Sequence, residues 1–454
     1  MSDAIILLDR IHFAFNIMFH YLFPQLTMGL AALILVFKSL ALWKADEAYH
    51  RATRFWLRIF GINFVFGVVT GIPMEFLFGT NWAGFSHKAG GVIGNTLAME
   101  GLFAFIMESA FLGLLLFGEK RLSPRAHWFA AFMVFLGTWL SGFFILATNA
   151  WMQHPVAYSM TEDGIFSLNS LAGMLTNPWL FWQYLHNMNA TLITGSFVVT
   201  SVGAYYLLSG KFHETARRFV HIGIVVAAIA TVLQIFPFGH GEARQVFEHQ
   251  PVKAAAMEGI FHTQKGAPLV ILGQPNMETQ TLDNPLVIPD LDSLLVTFSF
   301  DGEIKGLDAF PQKDWPDSVP LVFYSYHTMI ILGTLFSGIM LVAAWLLWRK
   351  KLFQSRWMLW LLMLSAPLPY VATTAGWMTA EIGRQPWLVY GLMRTAEGAS
   401  PHVSSGNVLF TLLGFAFMYL MMGFLFVILI LRVINAGPEP ATADIIKKTN
   451  EETV

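Results

Sequence analysis

Nine long apolar runs, each close to the length of a membrane crossing, leave this chain few alternatives for its fold. They lie near residues 14–43, 55–79, 93–118, 127–150, 179–208, 218–238, 320–347, 357–380 and 406–432. A helix needs about 20 mostly apolar residues to span the hydrocarbon, whereas a barrel strand needs only about half as many. No water in the bilayer core can satisfy an exposed backbone, so runs of this length are helices. Only 12% of the 454 residues are charged, about half the share found in an average soluble domain. The sequence therefore predicts an all-α, polytopic membrane bundle of about nine transmembrane helices.

Charges between the runs set the expected orientation. Lys44, Arg51 and Arg54 follow the first run, Lys120, Arg121 and Arg125 the third, Lys211, Arg217 and Arg218 the fifth, and Arg349, Lys350, Lys351 and Arg356 the seventh. The alternate loops are poorer: Lys88 alone follows the second run, and no Lys or Arg lies between Trp151 and Asn177. The positive-inside bias then predicts the N-terminus outside and the tail, with Lys447 and Lys448, inside. The expected division is six helices over residues 1–238, a large external loop over 239–319, three helices over 320–436 and a solvated cytoplasmic tail over 437–454. Loops this long are usually functional or disordered. The apolar content of this one, including LVIL at 269–272, predicts a partly ordered cap.

Composition also excludes. A net charge of −2 argues against a broadly basic nucleic-acid surface. No secretory cleavage pattern precedes the first run, so the N-terminus is expected to be retained. The chain has no cysteine, which excludes disulfides, cysteine-ligated iron–sulfur clusters, thiolate-ligated haem and covalent c-type haem. Any redox centre must use His, Met, Glu, Asp or Tyr.

Ionisable side chains inside apolar runs are costly and usually functional. His20 sits in NIMFHYLFPQLTMG, where Pro24 has no N–H for the His20 carbonyl and loosens the helix. Such a histidine is either a helix-to-helix hydrogen-bonding group or an axial haem ligand. Glu75 lies in GIPMEFLFGTNW, and Glu100 and Glu108 in LAMEGLFAFIMESAF. Eight residues of ideal helix turn about 80° and climb roughly 12 Å, so the last two line one side at two depths. A proton relay needs that arrangement; burial for structure alone is the bland reading. His186 in NPWLFWQYLHNMNATLITG and Met329 in FYSYHTMIILGTLF lie towards the outer ends of their runs. His with Met is a low-spin haem ligand set, although a methionine is more often packing. His127, starting the fourth run, is expected at the inner interface. Glu381 and Arg384 in GWMTAEIGRQPW share a helix face and can neutralise each other. Pro386 ends that helix near Gln385. The carboxylate is either half of an anchoring ion pair or a proton or metal site.

Taken together, these segments resemble subunit I of the cytochrome bd-type quinol oxidases, including the cyanide-insensitive branch. The match runs from about Ile11 to Ala436 through FHYLFPQLTMG, FGINFVFGVVTGIPMEFLFGTNW, MEGLFAFIMES, NAWMQHP, the His186 segment and AEIGRQPW, in that order. The resemblance implies that His20 is the axial ligand of the oxygen-reactive haem, a haem d or a third haem b. It implies Glu381 as ligand of a high-spin haem b, and His186 with Met329 as ligands of a low-spin haem b. Arg384 and Trp387 match haem-adjacent positions, and Trp377 matches an aromatic near the high-spin pair. Glu100 and Glu108 match proton-pathway carboxylates. Lys253 and Glu258, in QPVKAAAMEGIF, match loop residues of quinol oxidation; their bland reading is a solvated loop ion pair. Many members carry Arg where this chain has His327, two residues before the ligand methionine. The loop also lacks the extension of one branch, which places the chain in the short-loop group.

The implied reaction is oxidation of ubiquinol or menaquinol by dioxygen, giving quinone and water, at a bacterial cytoplasmic (inner) membrane. Quinol docks at the outer face, Glu258 or a neighbour accepts a proton, and Lys253 polarises a quinol oxygen. Protons reach oxygen from inside by way of Glu108 and Glu100. Charge then crosses the membrane without a pump, at about 2.3 kcal/mol per charge per 100 mV. The implied partners are subunit II and often a very small single-helix subunit. A haem–copper oxidase would need more intramembrane histidines than His20 and His186. A proton-coupled transporter could use Glu75, Glu100 and Glu108 without haem, but no internal repeat supports it. A purely structural subunit leaves so many intramembrane ionisable groups unexplained. The visible spectrum of the purified membrane protein separates these readings: a Soret band is expected, and its absence would rule out the oxidase.

Overall fold

The structure, a computed structural model, describes residues 3–438. Among them, nine helices are long and apolar enough to cross a membrane: Ala4–Lys44, Glu47–Thr80, Ala83–Phe117, Pro124–Gln153, Pro178–Leu208, His213–His249, Val319–Trp348, Arg356–Arg384 and Ser405–Ala436. We refer to them as the first to ninth spans. Asp46, Ser123, Asn177, Ser318 and Ser404 each accept a backbone N–H at the start of the second, fourth, fifth, seventh and ninth spans. Side-chain caps of this kind satisfy donors that a helix start leaves open.

Interruptions fall where the sequence puts them. The first span breaks at Tyr21, between segments Asp3–His20 and Leu22–Lys44, where Pro24 has no N–H to offer the His20 carbonyl. The eighth span stops at Arg384, and Gln385 takes an extended ψ of 149°, as a residue before proline prefers. Two irregularities were not legible: the π turn Glu100–Phe105 in the third span, and a kink in the sixth at Phe236, whose φ of −144° and ψ of 125° are non-helical, beside Pro237. Single π turns occur frequently at functional sites.

Small residues and rings hold the bundle together. Gly29 of the first span faces Gly195 of the fifth, and a Cβ on Gly195 would lie 2.9 Å from the Gly29 carbonyl carbon. Small residues at such crossings let two backbones approach. Phe37, Phe55, Trp56, Phe60, Tyr206 and Phe219, from the first, second, fifth and sixth spans, fill one fully buried cluster. The ninth span buries only Val408 and Tyr419, leaving an apolar outer face suited to lipid or to a partner subunit.

The sixth span is kinked at Phe236, and within the segment expected as a loop from 239 the chain first forms the helix His240–His249. Beyond it an ordered cap is built from helix Pro251–Glu258, an antiparallel hairpin of Leu269–Asn276 with Thr281–Ile288, and helix Leu291–Thr297. The expected tail, with Lys447 and Lys448, lies outside the described residues apart from Gly437 and Pro438.

The Gly29–Gly195 crossing is testable. Gly195→Val should force the first and fifth spans apart and lower stability by about 1–3 kcal/mol or more, seen as a lower unfolding midpoint in detergent. An unchanged midpoint would show that the approach is not close.

Candidate haem, proton and quinol sites

Glu381 occupies the last turn of the eighth span, held by donors from the fourth span and from its own helix. Its Oε1 accepts from Asn149 Nδ2 at 2.9 Å and Gln153 Nε2 at 3.1 Å, and its Oε2 pairs with Arg384. Asn149 and Gln153 stand four apart on the fourth span, and Gln183 of the fifth donates to Asn149 Oδ1 at 2.8 Å. Arg384 is buried and also donates to the Leu388 carbonyl. The anchoring ion pair read from the sequence therefore forms, but within a network that a solvated helix end does not need. Buried charges persist only when paired and hydrogen-bonded in this way.

The network continues into the cap. Lys253 Nζ donates to Gln153 Oε1 at 2.9 Å and lies 5.4 Å from the centre of the Trp179 ring. One side chain, Gln153, thus separates Lys253 from Glu381. Burial pushes the Lys253 ammonium down to about 7, against the pull of the Glu381 carboxylate. The solvated ion pair of Lys253 with Glu258 does not form. Both are buried, and Glu258 is hydrogen-bonded to Tyr326 of the seventh span. Burial, with the nearby charge of Asp292, raises the Glu258 carboxyl above its ordinary range.

His20 is set up to offer one ring nitrogen. Thr70 of the second span gives its hydroxyl proton to the Phe66 carbonyl, 2.7 Å away, and lies 3.0 Å from His20 Nδ1. With its hydroxyl proton on the Phe66 carbonyl, Thr70 can accept from Nδ1–H, the tautomer that keeps a lone pair on Nε2. Gly71 makes room: a Cβ there would lie 3.1 Å from His20 Cε1.

His186 lies against the sixth span just before its kink at Phe236. Gln234 Nε2 is 3.1 Å from each ring nitrogen, and its Oε1 is held by Asn189 at 2.6 Å. Met329 packs its sulfur against Gly376, where a Cβ would come within 2.8 Å. Met329, Trp377 and Tyr184, two residues before His186, pack on one buried apolar cluster. His327 faces away from this group. Its nitrogens meet the Phe323 carbonyl at 2.9 Å and the Val270 carbonyl at 3.1 Å, tying the seventh span to the cap hairpin. Trp387 starts a short strand, with the Arg394 guanidinium 3.7 Å from its ring centre.

Glu100 and Glu108 both face the fourth span. Ser141 donates to Glu100 Oε1 at 2.7 Å, while Gly137, four residues earlier, lets Glu108 approach so that a Cβ there would lie 2.9 Å from the Glu108 Cβ. The shared side survives, although the π turn between them replaces the ideal-helix geometry. Glu108 is buried with Oε1 unpartnered. Glu75 lies near enough to sense the Glu100 charge.

His127, in the first turn of the fourth span, is buried against protein, between Lys38 Nζ at 2.6 Å and the Leu115 carbonyl at 2.8 Å. Sequence reasoning also passed over Thr70, Asn149, Gln153, Asp292 and Tyr326. Asn149 and Gln153 carried a readable signal, two amides four apart inside an apolar run. His12 is buried with both ring nitrogens unpartnered, and no role for it follows from its neighbours.

The donor set fits porphyrin iron. Among the described residues no group of three or more His, Cys, Asp or Glu side chains could hold a bare ion. Axial ligation instead asks for single donors with oriented lone pairs, as His20 provides. The model for the cytochrome bd terminal oxidase subunit I family matches residues 8–438. Cytochrome bd ubiquinol oxidase subunit 1 of Bacillus subtilis (strain 168) is 36% identical, over 97% of this chain and 95% of its own. Cytochrome bd-II ubiquinol oxidase subunit 1 of Escherichia coli (strain K12) is 31% identical, over 95% and 96%. The solved bd oxidase from Geobacillus thermodenitrificans superposes with a TM-score of 0.90 at 29% identity, covering 96% of this chain and 99% of that one. With the match running through nearly every described residue, the chain belongs to the cytochrome bd terminal oxidase subunit I family.

Proposed function

We propose that the chain oxidises a membrane quinol and passes its electrons to dioxygen, with haem held at His20, at Glu381 and between His186 and Met329. The observation that carries this reading is the junction at Gln153, which ties the cap's Lys253 to the carboxylate of Glu381. The haem assignments follow the family resemblance: low-spin haem b at His186 and Met329, high-spin haem b at Glu381, haem d or a third haem b at His20. Bound haem supplies the electron relay and the reduction of dioxygen; the remaining steps belong to the polypeptide.

Quinol docks beneath the cap. A cleft of about 360 Å³ lined by Trp182, Phe236, His240, Arg244 and Phe298 has the apolar walls and few polar groups that a quinol ring needs. Lys253 orients a quinol oxygen, and Glu258, raised by burial, takes the hydroxyl proton. Arg384 fixes the Glu381 carboxylate, and Trp377 and Trp387 wall the haem-adjacent space. Glu108 and Glu100 hold protons along one side of the third span on the way to oxygen. The charged loops favour the N-terminus and cap outside (periplasmic), the C-terminus inside and a bacterial inner membrane. Proton release outside and uptake inside then separate charge without pumping. The exposed apolar faces fit subunit II and a small single-helix subunit, and the modest cap suits the short-loop branch. On this reading residues 1–238 and 320–436 carry haem and protons, and 239–319 handles quinol.

Oxygen uptake by the purified complex on addition of ubiquinol or menaquinol is the direct test, and no quinol-dependent uptake would overturn the proposal. Met329→Ala should abolish the low-spin haem signal in reduced-minus-oxidised spectra while the high-spin signals persist; an intact low-spin band would remove Met329 from the ligand set. Glu258→Gln should reduce quinol-dependent turnover about 100-fold or more without changing haem content, and wild-type turnover in that variant would exclude Glu258 as the proton acceptor.

A further inference from the structure

Two histidines meet face to face at the cap end of the bundle. His154 follows the last residue of the fourth span, and His249 ends the sixth. Their ring centres lie 3.9 Å apart with planes 21° from parallel, and Trp179 of the fifth span stands 6.5 and 6.2 Å from the two rings. Both are half-buried, so protons from solution reach them.

Their chain neighbours are the residues on which the Gln153 junction depends. Gln153 precedes His154 and Gln250 follows His249. Gln250 Nε2 donates to the Gln153 carbonyl at 2.6 Å and to its Oε1 at 2.9 Å, the oxygen that also accepts from Lys253. Both glutamines are fully buried. The ring stack and the amide pair therefore join the same two chain segments. The backbone of His154 is tied down, its N–H to the Ala150 carbonyl and its carbonyl to Asn177 Nδ2. A force that parts the rings thus falls on the segment of His249 and Gln250.

We propose that the His154–His249 stack is a positioning clamp for the Gln153 junction, closed while at least one ring is neutral and opened when solution protons charge both. This rests on the reading of Lys253 as part of quinol oxidation. A neutral imidazole stacks on an imidazolium, whereas two imidazoliums at this separation repel. Opening draws Gln250 from Gln153 and loosens the amide that holds Lys253 to Glu381. Quinol oxidation releases protons, so acid on the cap side slows the step that makes more of it.

Around the pair, the sixth span contributes exposed Glu248, and the helix Pro251–Glu258 contributes Lys253, engaged by Gln153. The fifth span presents Trp179 and Asn177, neither of which titrates. Glu381 and Arg384 of the eighth span lie beyond Gln153. Burial lowers the His154 imidazolium below the ordinary histidine value, the charge of His249 lowers it further, and Glu248 opposes both. The closed clamp is therefore favoured above that ordinary value, about 6.5, and loses its advantage as pH falls below it.

The test is the pH profile of kcat/KM for a short-chain ubiquinol, measured by oxygen uptake on the purified complex and normalised to each variant's value at about pH 7.5. His154→Phe and His249→Phe each keep a flat ring that cannot be charged. At about pH 5.5 each should retain about fivefold more activity than wild type, the ratio that two unit charges about 4 Å apart give even in water. Glu258 is common to all variants, so its own titration cancels. His154→Lys fixes one charge and should move the fall to higher pH. Hydrogen exchange in peptides spanning residues 246–254 reads the clamp without turnover, and at about pH 5.5 it should be slower in His154→Phe than in wild type. Reduced-minus-oxidised haem spectra report assembly, and His154→Gln takes the place of a Phe variant that does not assemble. An acid fall and an exchange rate shared by wild type and both Phe variants, with quinol turnover intact, would overturn the clamp. Absence of quinol-dependent uptake at every pH would instead overturn the reading on which it rests.

Discussion

Keeping ionised groups in a medium that does not solvate them is the constraint behind this structure. Glu381 shows how it is met. Its side chain keeps 34% of its surface exposed, and Asn149, Gln153 and Arg384 supply the hydrogen bonds around the carboxylate. A charge held this way is expensive to disturb, because removing one donor leaves the others aimed at an uncompensated group. The fourth and eighth spans supply this shell, and the fifth span and the cap hold its members from behind, Gln183 on Asn149 and Lys253 on Gln153. Apolar packing between helices does not specify register to this degree when lipid is as oily as leucine.

Helix irregularities sit where these groups must be presented. The break at Tyr21 follows His20, the π turn Glu100–Phe105 separates Glu100 from Glu108, and the kink at Phe236 follows Gln234, which lies against His186. A regular helix fixes side-chain direction at every 100°. Inserting one residue changes that phase locally while the flanking turns keep their packing, so a polar group can be redirected without moving the span.

Much of this was legible because the bilayer simplifies the problem. Span number followed from run length, and the stops at Tyr21 and Arg384 followed from Pro24 and Pro386, whose effects are local and covalent. Single polar residues in oil, such as His20, His186, Glu100 and Glu108, announced themselves by cost alone. What stayed hidden depends on contacts distant in sequence. Nothing near Lys253 says that it meets Gln153, 100 residues away, and nothing near Glu258 says that it bonds to Tyr326 of the seventh span. Their burial overturns the solvated loop pair, because a charged segment between spans reads as wet until tertiary packing closes over it. The π turn was missed for a similar reason: an apolar run looks the same with or without one extra residue. The partners of His127, Lys38 and Leu115, were hidden in the same way, since they belong to other helices.

The choice of an amide at position 153 follows from the same electrostatics. Gln153 accepts from the Lys253 ammonium through Oε1 and donates to the Glu381 carboxylate through Nε2. Only a group with both a donor and an acceptor can satisfy a cation and an anion at once without adding charge. A carboxylate there would place a second anion beside Glu381, and an aliphatic residue would orphan both neighbours, each at roughly 1–3 kcal/mol or more. Gln250 reinforces the orientation, donating to the Gln153 carbonyl at 2.6 Å and to its Oε1 at 2.9 Å. With Oε1 accepting from two sides, Nε2 is left pointing at Glu381, so the cap and the membrane-embedded carboxylate are held in one fixed polar geometry.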